Sequence, residues 1–227
     1  LNTPITYICV PTPSAPNGDC DTSIVEGVLE ELYSLQYKGS VSVKSTVKPG
    51  SIDRWKERFG KILNISFVPE FLRERCATFD FIHNNNVLVI GTDDDKTGSL
   101  VRECHGVLPT HTVVMKPIEA ELVKYFSNSY KAMRVTFANA FYKICQEVDA
   151  NYDVVKDTFL FHGIGEGHYL KVNKKFGGFG GTCLPKDTKG LANLVKDLDL
   201  DIELFNTIIK DNEKFTNVPH KKNREEI

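Results

Sequence analysis

The segment ITYICVPTP, residues 5–13, predicts a short β-strand over residues 5–10, because this apolar run ends at Pro11 and Pro13. Asp21 or Thr22 can then cap a helix whose apolar residues recur every three to four positions. Residues 40–47, SVSVKSTV, are rich in β-branched side chains and predict a second strand. A strand, a helix and a second strand in this order indicate a parallel pair of strands.

The same alternation of strands and helices continues through the first half of the chain. Strands are predicted at residues 65–68, 87–90 and 112–115, and helices at 52–59 and 97–105. Repeated strand–helix units favour a parallel sheet that is covered by helices on both faces. We therefore expect an α/β domain over residues 1–116.

The second half changes character at Pro117, which suits the first position of a helix. Glu119 and Glu121 follow at its positive end, and neither proline nor glycine appears again before Gly163. An apolar stripe predicts one helix of about thirty residues, roughly 45 Å long. Such a helix favours a homodimer in which it packs against a partner chain. A kinked or broken helix within one subunit is the alternative.

An all-α second domain is therefore expected over residues 117–227. It contains a glycine-rich stretch at 163–181 and a final helical region that begins near Pro185 and ends near Phe215. The GxGxG spacing within the glycine-rich stretch lacks a following amphipathic helix, which argues against a dinucleotide loop there.

Charge and composition exclude several classes of protein. The chain carries 28 basic and 30 acidic residues, and its net charge of −2 gives no electrostatic footprint for nucleic acid. Uninterrupted apolar runs reach about four residues, far short of the roughly twenty that cross a membrane. Six cysteines without a C-x-x-C pair favour reduced thiols in the cytoplasm. Six histidines without metal-ligand spacing give no reason to expect a metal.

The segment FGGFGGTCLPKD, residues 176–187, is the strongest candidate for chemistry. Its glycines let the backbone approach a ligand closely, and Pro185 can start a helix just after Cys183. The positive end of that helix and the nearby Lys186 would favour the thiolate form of the cysteine. With Asp187 four residues beyond the cysteine, the set suits covalent catalysis by a thiol. A buried, inert cysteine beside a turn is the alternative.

Two other segments pair polar residues four positions apart. In EAELVKYFSNSY, Lys124 and Asn128 share one helical face and could together hold a substrate oxygen or a water. In VPEFLRE, Glu70 and Glu74 follow a predicted strand, where α/β sheets place their ligand sites. Solvated polar side chains on ordinary helices are the alternative for both segments.

Five motifs follow one another along the chain. They are VPTP at 10–13, KSTVKPG at 44–50, VPEFLRE at 68–74, EAELVKYFSNSY at 119–130 and FGGFGGTCLPKD at 176–187. Taken together, they resemble the UDP-glucose/GDP-mannose dehydrogenase family over nearly the whole chain. The resemblance implies a partial Rossmann-type NAD-binding domain over 1–116 and a central helical domain for catalysis and dimerisation over 117–227.

The resemblance also implies a reaction, the oxidation of the C6 hydroxyl of a nucleotide sugar to a carboxylate with NAD as cofactor. Cys183 matches the nucleophile that attacks the C6 aldehyde and gives a thiohemiacetal, whose oxidation yields a thioester. Lys124 and Asn128 match residues that stabilise the oxyanion, and Asp187 matches a carboxylate that works with a water. UDP-glucose is the first expected substrate, with GDP-mannose and N-acetylated UDP-sugars as alternatives.

Further site residues are implied by the same resemblance. Glu70 matches a carboxylate near the substrate and the active-site water, and Thr46 matches a hydroxyl that orients this water. Besides Glu70, Lys124 and Asn128, the implied substrate contacts are Phe71, Leu72, Phe176, Gly177, Gly178, Phe179 and Gly180. The positions implied near NAD are Val10, Pro11, Thr12, Ser45, Thr46, Glu74 and Lys186.

Three departures from the family pattern accompany the resemblance. The chain starts with Leu1 rather than Met, and it lacks both the GxGxxG loop that should precede it and the nucleotide-binding domain that should follow. We therefore expect an incompletely recorded chain. The family's Arg-Ile-Gly segment, whose arginine reaches the substrate in the partner subunit, is GIG here at residues 163–165. His162 or Lys171 could take the place of that arginine.

Two other functions remain open at this point. A β-hydroxyacid dehydrogenase would share a Rossmann domain, a helical domain and a Lys-x-x-x-Asn pair, but it needs no cysteine nucleophile. A shortened homologue that binds a nucleotide sugar, or dimerises, without turnover is the non-enzyme alternative.

Overall fold

The computed structural model describes residues 2–73, 76–161, 167–172 and 177–215. The chain divides into two compact units, Leu1–Phe126 and Ser127–Ile227. The domain division expected between residues 116 and 117 stays a prediction. In the described part of the chain, no helix is long and apolar enough to span a bilayer.

The first unit alternates strands and helices in the predicted order. Its strands are β1 (Ile5–Ile8), β2 (Ser40–Val43), β3 (Asn64–Phe67), β4 (Val87–Gly91) and β5 (His111–Met115). Its helices are α1 (Ser23–Ser34), α2 (Ser51–Phe59), α3 (Ala77–His83) and α4 (Asp95–His105). The predicted elements are confirmed to within four residues at each end, whereas the short helix α3 was not predicted.

Aspartates fix the beginnings of two of these helices. The Asp21 carboxylate, one of the two predicted caps of α1, accepts a hydrogen bond from the Ser23 N–H at 2.9 Å. This bond holds the pKa of Asp21 below its ordinary value. At α4, the Asp94 carboxylate accepts from the Thr97 N–H at 2.8 Å. Each carboxylate satisfies a backbone donor that the first helical turn leaves unpaired.

The five strands form one sheet in the order β1-β2-β3-β4-β5. Strands β1, β2 and β3 pair in parallel, and so do β4 and β5. Strands β3 and β4 differ from the expected parallel pairing, because they meet antiparallel through Phe67 and Gly91. This antiparallel pairing consists of one residue pair, at the last positions of both strands. The sheet is therefore mixed, and the α/β class with a Rossmann-type sheet is confirmed.

Strands β2 and β3, which lie inside the sheet, are buried on both faces. Val41 and Ile65 belong to the main apolar core of the first unit, where helices α1 and α2 pack. The next residue of each strand, Ser42 or Ser66, points to the opposite face of the sheet. The hydroxyls of these two serines hydrogen-bond to each other at 2.8 Å. Since a buried hydroxyl needs a partner, this pair lets two polar residues occupy a closed interior.

Gly91 lies where β4 passes the beginning of the next helix, α5 (Pro117–Glu147). A Cβ at this position would stand 2.7 Å from the Ala120 Cβ and 2.9 Å from the Pro117 Cα. Both separations are far shorter than the usual contact between carbon atoms. The missing side chain is therefore what lets α5 begin beside the end of β4.

Helix α5 contains 31 residues, which confirms the predicted long helix. At 1.5 Å per residue it is about 46 Å long. It is followed by α6 (Tyr152–Phe161), a 3₁₀ turn (Gly167–Leu170), α7 (Cys183–Asp197) and α8 (Leu204–Phe215). The predicted final helical region is broken into α7 and α8, because the chain turns at Asp199 with φ 53°. Aspartate tolerates this left-handed conformation better than most residues.

The second unit has apolar cores on successive parts of α5. One contains buried residues from α5, α8 and the glycine-rich loop, namely Ala132, Val135, Phe179 and Ile208. The other contains Ala138, Cys145, Tyr152 and Leu170. Both cores of this unit thus form on the long helix, as the apolar stripe in its sequence indicates.

Candidate active site

The carboxyl ends of β1 and β2 bring together two segments that the resemblance assigns to NAD. The Ser45 hydroxyl donates to the Val10 carbonyl oxygen at 2.7 Å. The Cys20 thiol donates to the Thr46 carbonyl oxygen at 3.1 Å and lies 3.8 Å from that of Thr12. Adjacent parallel strands end at the same edge of a sheet, and α/β proteins bind their ligands at this edge.

Lys124 and Glu70 form an ion pair in the first unit. The Lys124 ammonium donates to the Glu70 carbonyl oxygen at 2.5 Å and to its carboxylate Oε1 at 3.0 Å. The other carboxylate oxygen accepts from the Leu72 N–H at 2.6 Å, and the Phe71 ring lies 5.7 Å from the ammonium. The lysine side chain is 5% exposed, whereas that of the glutamate is 34% exposed. The pair thus holds a partly exposed carboxylate beside a buried cation that neutralises it.

Lys44 is a further cation close to this pair, and it was not among the predicted site residues. It directly follows β2, and its backbone N–H donates to the Ile8 carbonyl oxygen at 2.9 Å. Burial lowers the pKa of Lys44; the charge of Glu70 acts in the opposite direction, and that of Lys124 adds to the lowering. Its place at the head of the KSTVKPG motif was the signal that could have identified it.

Arg73 and Asp80 hold the far end of the loop that follows β3. The Arg73 side chain donates to both Asp80 carboxylate oxygens, at 2.9 and 2.7 Å, and its backbone N–H donates at 3.0 Å. The Asn84 amide donates to the same carboxylate at 2.9 Å. These donors, the Arg73 side chain above all, hold the pKa of the buried Asp80 well below its usual range. The predicted contact segment from Glu70 to Leu72 is therefore tied down on both sides.

Glu121 lies one helical turn before Lys124 and has a different role from the one its position suggests. Its two carboxylate oxygens accept from the Gly50 and Ile52 N–H groups, at 2.6 and 2.9 Å. The residue is fully buried, and burial raises its pKa to about 7 against the pull of these hydrogen bonds. Glu121 therefore caps the beginning of α2, directly after the KSTVKPG motif.

Cys183 is the first residue of α7, so this helix begins two residues earlier than predicted. Its side chain is exposed rather than buried beside the turn, and its catalytic role stays a prediction. The Thr182 hydroxyl lies 3.6 Å from the sulfur atom. A thiol in the first turn stands at the positive end of the helix dipole, where negative charge is stabilised.

Asn128 and Asp187 form a buried pair in the second unit. The Asn128 amide donates to the Asp187 oxygen Oδ2 at 2.5 Å. Lys186 Nζ lies 3.0 Å from the other oxygen, Oδ1, yet among the described residues this oxygen accepts no hydrogen bond. Asp187 itself is fully buried and one helical turn from Cys183 on α7. This arrangement leaves one carboxylate oxygen able to accept a proton or a water.

The glycine-rich loop before α7 is described from Gly177 onward. Gly178 and Gly181 have positive φ values of 65° and 78°, a conformation that glycine adopts more readily than any other residue. Phe179 points into the apolar core and is 3% exposed. Its implied substrate contact stays a prediction, as does that of Gly180.

Several predicted residues lie outside the described part of the chain. They are Glu74, Phe176, His162 and the GIG segment at 163–165. Two further predicted positions are exposed, namely Pro11, which follows the carboxyl end of β1, and Lys171.

Comparisons with known proteins match both units to one family. The model for the NAD binding domain of the UDP-glucose/GDP-mannose dehydrogenase family matches residues 1–108. The model for the central domain of the same family matches residues 118–214.

Individual relatives agree with this match. A UDP-glucose 6-dehydrogenase of Rickettsia conorii is 32% identical over 214 residues, covering 92% of this chain and 48% of the relative. A GDP-mannose 6-dehydrogenase of Pseudomonas aeruginosa is 32% identical over 230 residues, covering 93% and 51%. The structure of a UDP-glucose dehydrogenase from Pyrobaculum islandicum is similar with a TM-score of 0.86, at 31% identity, covering 93% and 50%. The chain spans about half the length of the curated relatives it matches.

Proposed function

Because the chain belongs to the UDP-glucose/GDP-mannose dehydrogenase family, we propose that it takes part in the oxidation of a nucleotide sugar at C6. The product is the uronate, and the two oxidations use NAD. One observation carries this proposal. An exposed thiol, Cys183, begins the helix on which the buried Asp187 follows one turn later, with its Oδ2 held by Asn128.

Cys183 supplies the covalent step of the proposed reaction. Its thiolate attacks the C6 aldehyde and forms a C–S bond, so that the aldehyde becomes a thiohemiacetal. Loss of a hydride from this carbon, which bound NAD would accept, and of the hydroxyl proton to water leaves a thioester. Water then breaks the C–S bond, releasing the carboxylate and returning the thiol. The tether explains why an aldehyde need not leave the site between the two oxidations.

Asp187 handles the proton of the hydrolytic water in this scheme. A fully buried carboxylate with one oxygen free of hydrogen bonds from the described residues has an open lone pair for that proton. Asn128 fixes the carboxylate through the other oxygen, and Lys186 stands beside the open one. In this scheme, Asp187 accepts the proton at its Oδ1 atom.

Lys124 and Glu70 are proposed to serve the oxygen at C6. Four residues separate Lys124 from Asn128 on the continuous helix α5, so the two side chains project from one face. An ammonium and an amide on one face suit an oxyanion that develops during attack. Glu70 is proposed as the carboxylate near the substrate and its water, with the Thr46 hydroxyl orienting that water.

NAD fits the carboxyl edge of β1 and β2. Val10, Thr12, Ser45 and Thr46 offer hydroxyl and backbone groups there, and the hydrogen bonds between the two segments fix their spacing. When bound, NAD accepts the hydride that leaves C6. The remaining chemistry, namely holding the sugar, attacking the aldehyde and moving protons, belongs to this chain's side chains.

UDP-glucose is the proposed substrate, because relatives carrying this name match over more than nine-tenths of the chain. GDP-mannose remains the alternative, since a GDP-mannose 6-dehydrogenase is equally similar. The cytoplasm is the proposed compartment, because all six cysteines are free thiols.

The test is the number of NADH molecules formed per UDP-glucose by the native protein, followed by absorbance. Two NADH and a uronate product are expected, and Cys183→Ala should abolish uronate formation while leaving the fold intact. One NADH per substrate would favour a β-hydroxyacid-type dehydrogenase that needs no thiol. Binding of UDP-glucose without any NADH would favour the shortened, non-catalytic homologue.

We also propose that α5 forms a homodimer. Exposed large apolar residues follow a four-three-four spacing, which is typical of a seam between helices: Phe137, Phe141 and Ile144 lie on α5, and Val148 directly follows its last residue. The Phe137 and Phe141 rings lie 5.5 Å apart. A second copy of the same helix is the occupant that matches such a seam.

Light scattering tests the dimer. Ile144→Glu should halve the molar mass of the native protein at micromolar concentration, because it places a charge in the seam. Val107→Glu is the matched control, since Val107 is 96% exposed in the first unit and lies outside the seam. An unchanged mass for Ile144→Glu, or an equal change for the control, would contradict this seam.

A further inference from the structure

The glycine-rich loop is held from one side by helix α8. A Cβ on Gly177 would stand 2.0 Å from the Phe215 carbonyl oxygen, so the loop backbone runs directly against the last turn of α8. At Gly180, by contrast, an added Cβ would meet no described atom within 4 Å. The loop therefore packs on the helix at its beginning and opens away from it towards α7.

Asn212 of α8 grips the loop between these two glycines. The Phe179 N–H donates to the Asn212 side-chain oxygen at 2.5 Å, and the Asn212 amide donates to the Phe179 carbonyl oxygen at 3.0 Å. Asn212 is 8% exposed and Phe179 is 3% exposed, so both hydrogen bonds are shielded from water. One side chain thus satisfies both backbone groups of one loop residue.

Few side chains can replace asparagine in this role. The contact needs one donor and one acceptor side by side, which a carboxamide offers at any pH and a carboxyl group offers only when protonated. Ionised aspartate keeps the acceptor and turns a second oxygen towards the Phe179 carbonyl oxygen. A leucine would leave two buried backbone groups unpaired, and such groups are costly.

We propose that Asn212 is a positioning residue for nucleotide-sugar binding and for the approach of Cys183. This inference rests on the proposed function, which assigns the loop to the substrate. Four residues separate Phe179 from Cys183, a reach of at most about 14 Å even when extended. Gly178 and Gly181, with their positive φ values, have wide conformational freedom. The two hydrogen bonds from Asn212 to Phe179 are therefore what restricts the loop to one conformation.

The test is protection of Cys183 from iodoacetamide by UDP-glucose in the native protein. Alkylation is read by peptide mass spectrometry, with the exposed Cys104 as internal reference. For Asn212→Asp, the UDP-glucose concentration that gives half protection should rise about tenfold, in line with loss of one buried hydrogen bond. The KM for UDP-glucose should rise by the same factor, with a smaller change in kcat.

Two variants on the same helix are matched controls. Asn206→Asp makes the same chemical change at an exposed asparagine and should leave half protection unchanged. Ile208→Val removes a methylene from the core residue that packs with Phe179, so it lowers stability without touching the amide pair. A merely structural Asn212 would act like Ile208→Val, lowering the unfolding temperature with half protection unmoved.

Different outcomes would overturn the role of Asn212 and the proposed function on which it rests. Unaltered half protection in folded Asn212→Asp, with protection intact in the parent chain, would overturn the inference alone. No protection and no NADH in the parent chain would overturn the proposed function, and the inference with it. If Asn212→Asp does not fold, amide exchange in the parent chain decides. UDP-glucose should then slow hydrogen exchange of the Phe179 N–H at least tenfold further. An amide that exchanges without protection would overturn the proposed role of Asn212.

Discussion

Glu121 in the first unit and Asp187 in the second are both fully buried carboxylates, yet they are satisfied in different ways. Glu121 accepts from two backbone N–H groups, one at each oxygen, and so caps helix α2. Asp187 accepts a hydrogen bond from one side chain, Asn128. Its second oxygen lies 3.0 Å from the Lys186 ammonium and accepts no hydrogen bond from the described residues. The two sites carry the same chemical group in similar burial.

This difference is the one we expect between a structural carboxylate, Glu121, and the proposed catalytic carboxylate, Asp187. When both oxygens accept hydrogen bonds from main-chain N–H groups, these donors oppose protonation of the carboxylate. When one oxygen is open, the group can take up a proton without moving. Burial alone therefore does not identify a catalytic acid or base, and the oxygen without a hydrogen bond is what supports the proposed role of Asp187.

Replacement of Asp187 should give the largest effect. In Asp187→Asn, the amide keeps the shape of the pair but cannot accept the proton of the hydrolytic water. We expect kcat for NADH formation to fall about a thousandfold, with a thioester accumulating on Cys183. Mass spectrometry after rapid quenching detects this adduct. Asp201→Asn, at an exposed position, is the control. A loss in kcat below about tenfold would remove Asp187 from the chemistry.

Replacement of Glu121 should change the pH dependence of stability and leave catalysis alone. Its folded-state pKa of about 7 lies above the ordinary 4.5, so between these values the folded chain keeps a proton that the unfolded chain has lost. The stabilisation is therefore complete below pH 4.5 and is lost as the pH rises to about 7. The advantage of the parent chain over Glu121→Gln in unfolding free energy should shrink by about 3 kcal/mol across this window.

Denaturant unfolding at a series of pH values measures this change. Glu57→Gln, at an exposed position on α2, should show a constant difference from the parent chain. For Glu121→Gln, kcat should stay within about threefold, since its oxygens contact backbone rather than substrate. A difference that does not vary with pH would mean that Glu121 titrates in the folded chain as it does in the unfolded one.

Asp80 extends the comparison with a smaller effect of opposite sign. Its pKa is lowered by Arg73, so its stabilisation is present above its ordinary value of 3.8 and is lost as the pH falls. At pH 7, Asp80→Asn should lower the unfolding free energy by about 2 kcal/mol, because a charged two-bond contact is lost. Asp95→Asn, at an exposed position, is the control for denaturant unfolding. A loss below about 0.5 kcal/mol would equate the contact with an exposed ion pair.

The elements that sequence reasoning identified are those with a local signature. Strand β1 ends where its apolar run meets prolines, and α5 follows a long stripe without proline or glycine. Helix α3 has no such stripe, because Asp80 is its only buried residue among those described. The break between α7 and α8 was missed because Asp199 adopts a left-handed conformation without a glycine to announce it.

The candidate site divides along the same line. The spacing of Lys124 and Asn128 on α5 is local, and the sequence carries it directly. Glu121 was assigned to the positive end of its own helix, but its partners are Gly50 and Ile52, about seventy residues earlier. Asn212 grips Phe179 across 33 residues, and no spacing in the sequence encodes that contact. Contacts between distant segments need the fold before they can be seen.

Gly91 restricts how the gene for this protein can vary. Every glycine codon begins with GG, so each single-base change that alters the amino acid introduces a residue with a Cβ. At this position such an atom collides with Pro117 and Ala120 at the start of α5. Missense change at residue 91 is therefore coupled to residue 120, where a change to glycine would return part of the space, and neutral drift at either codon depends on the other.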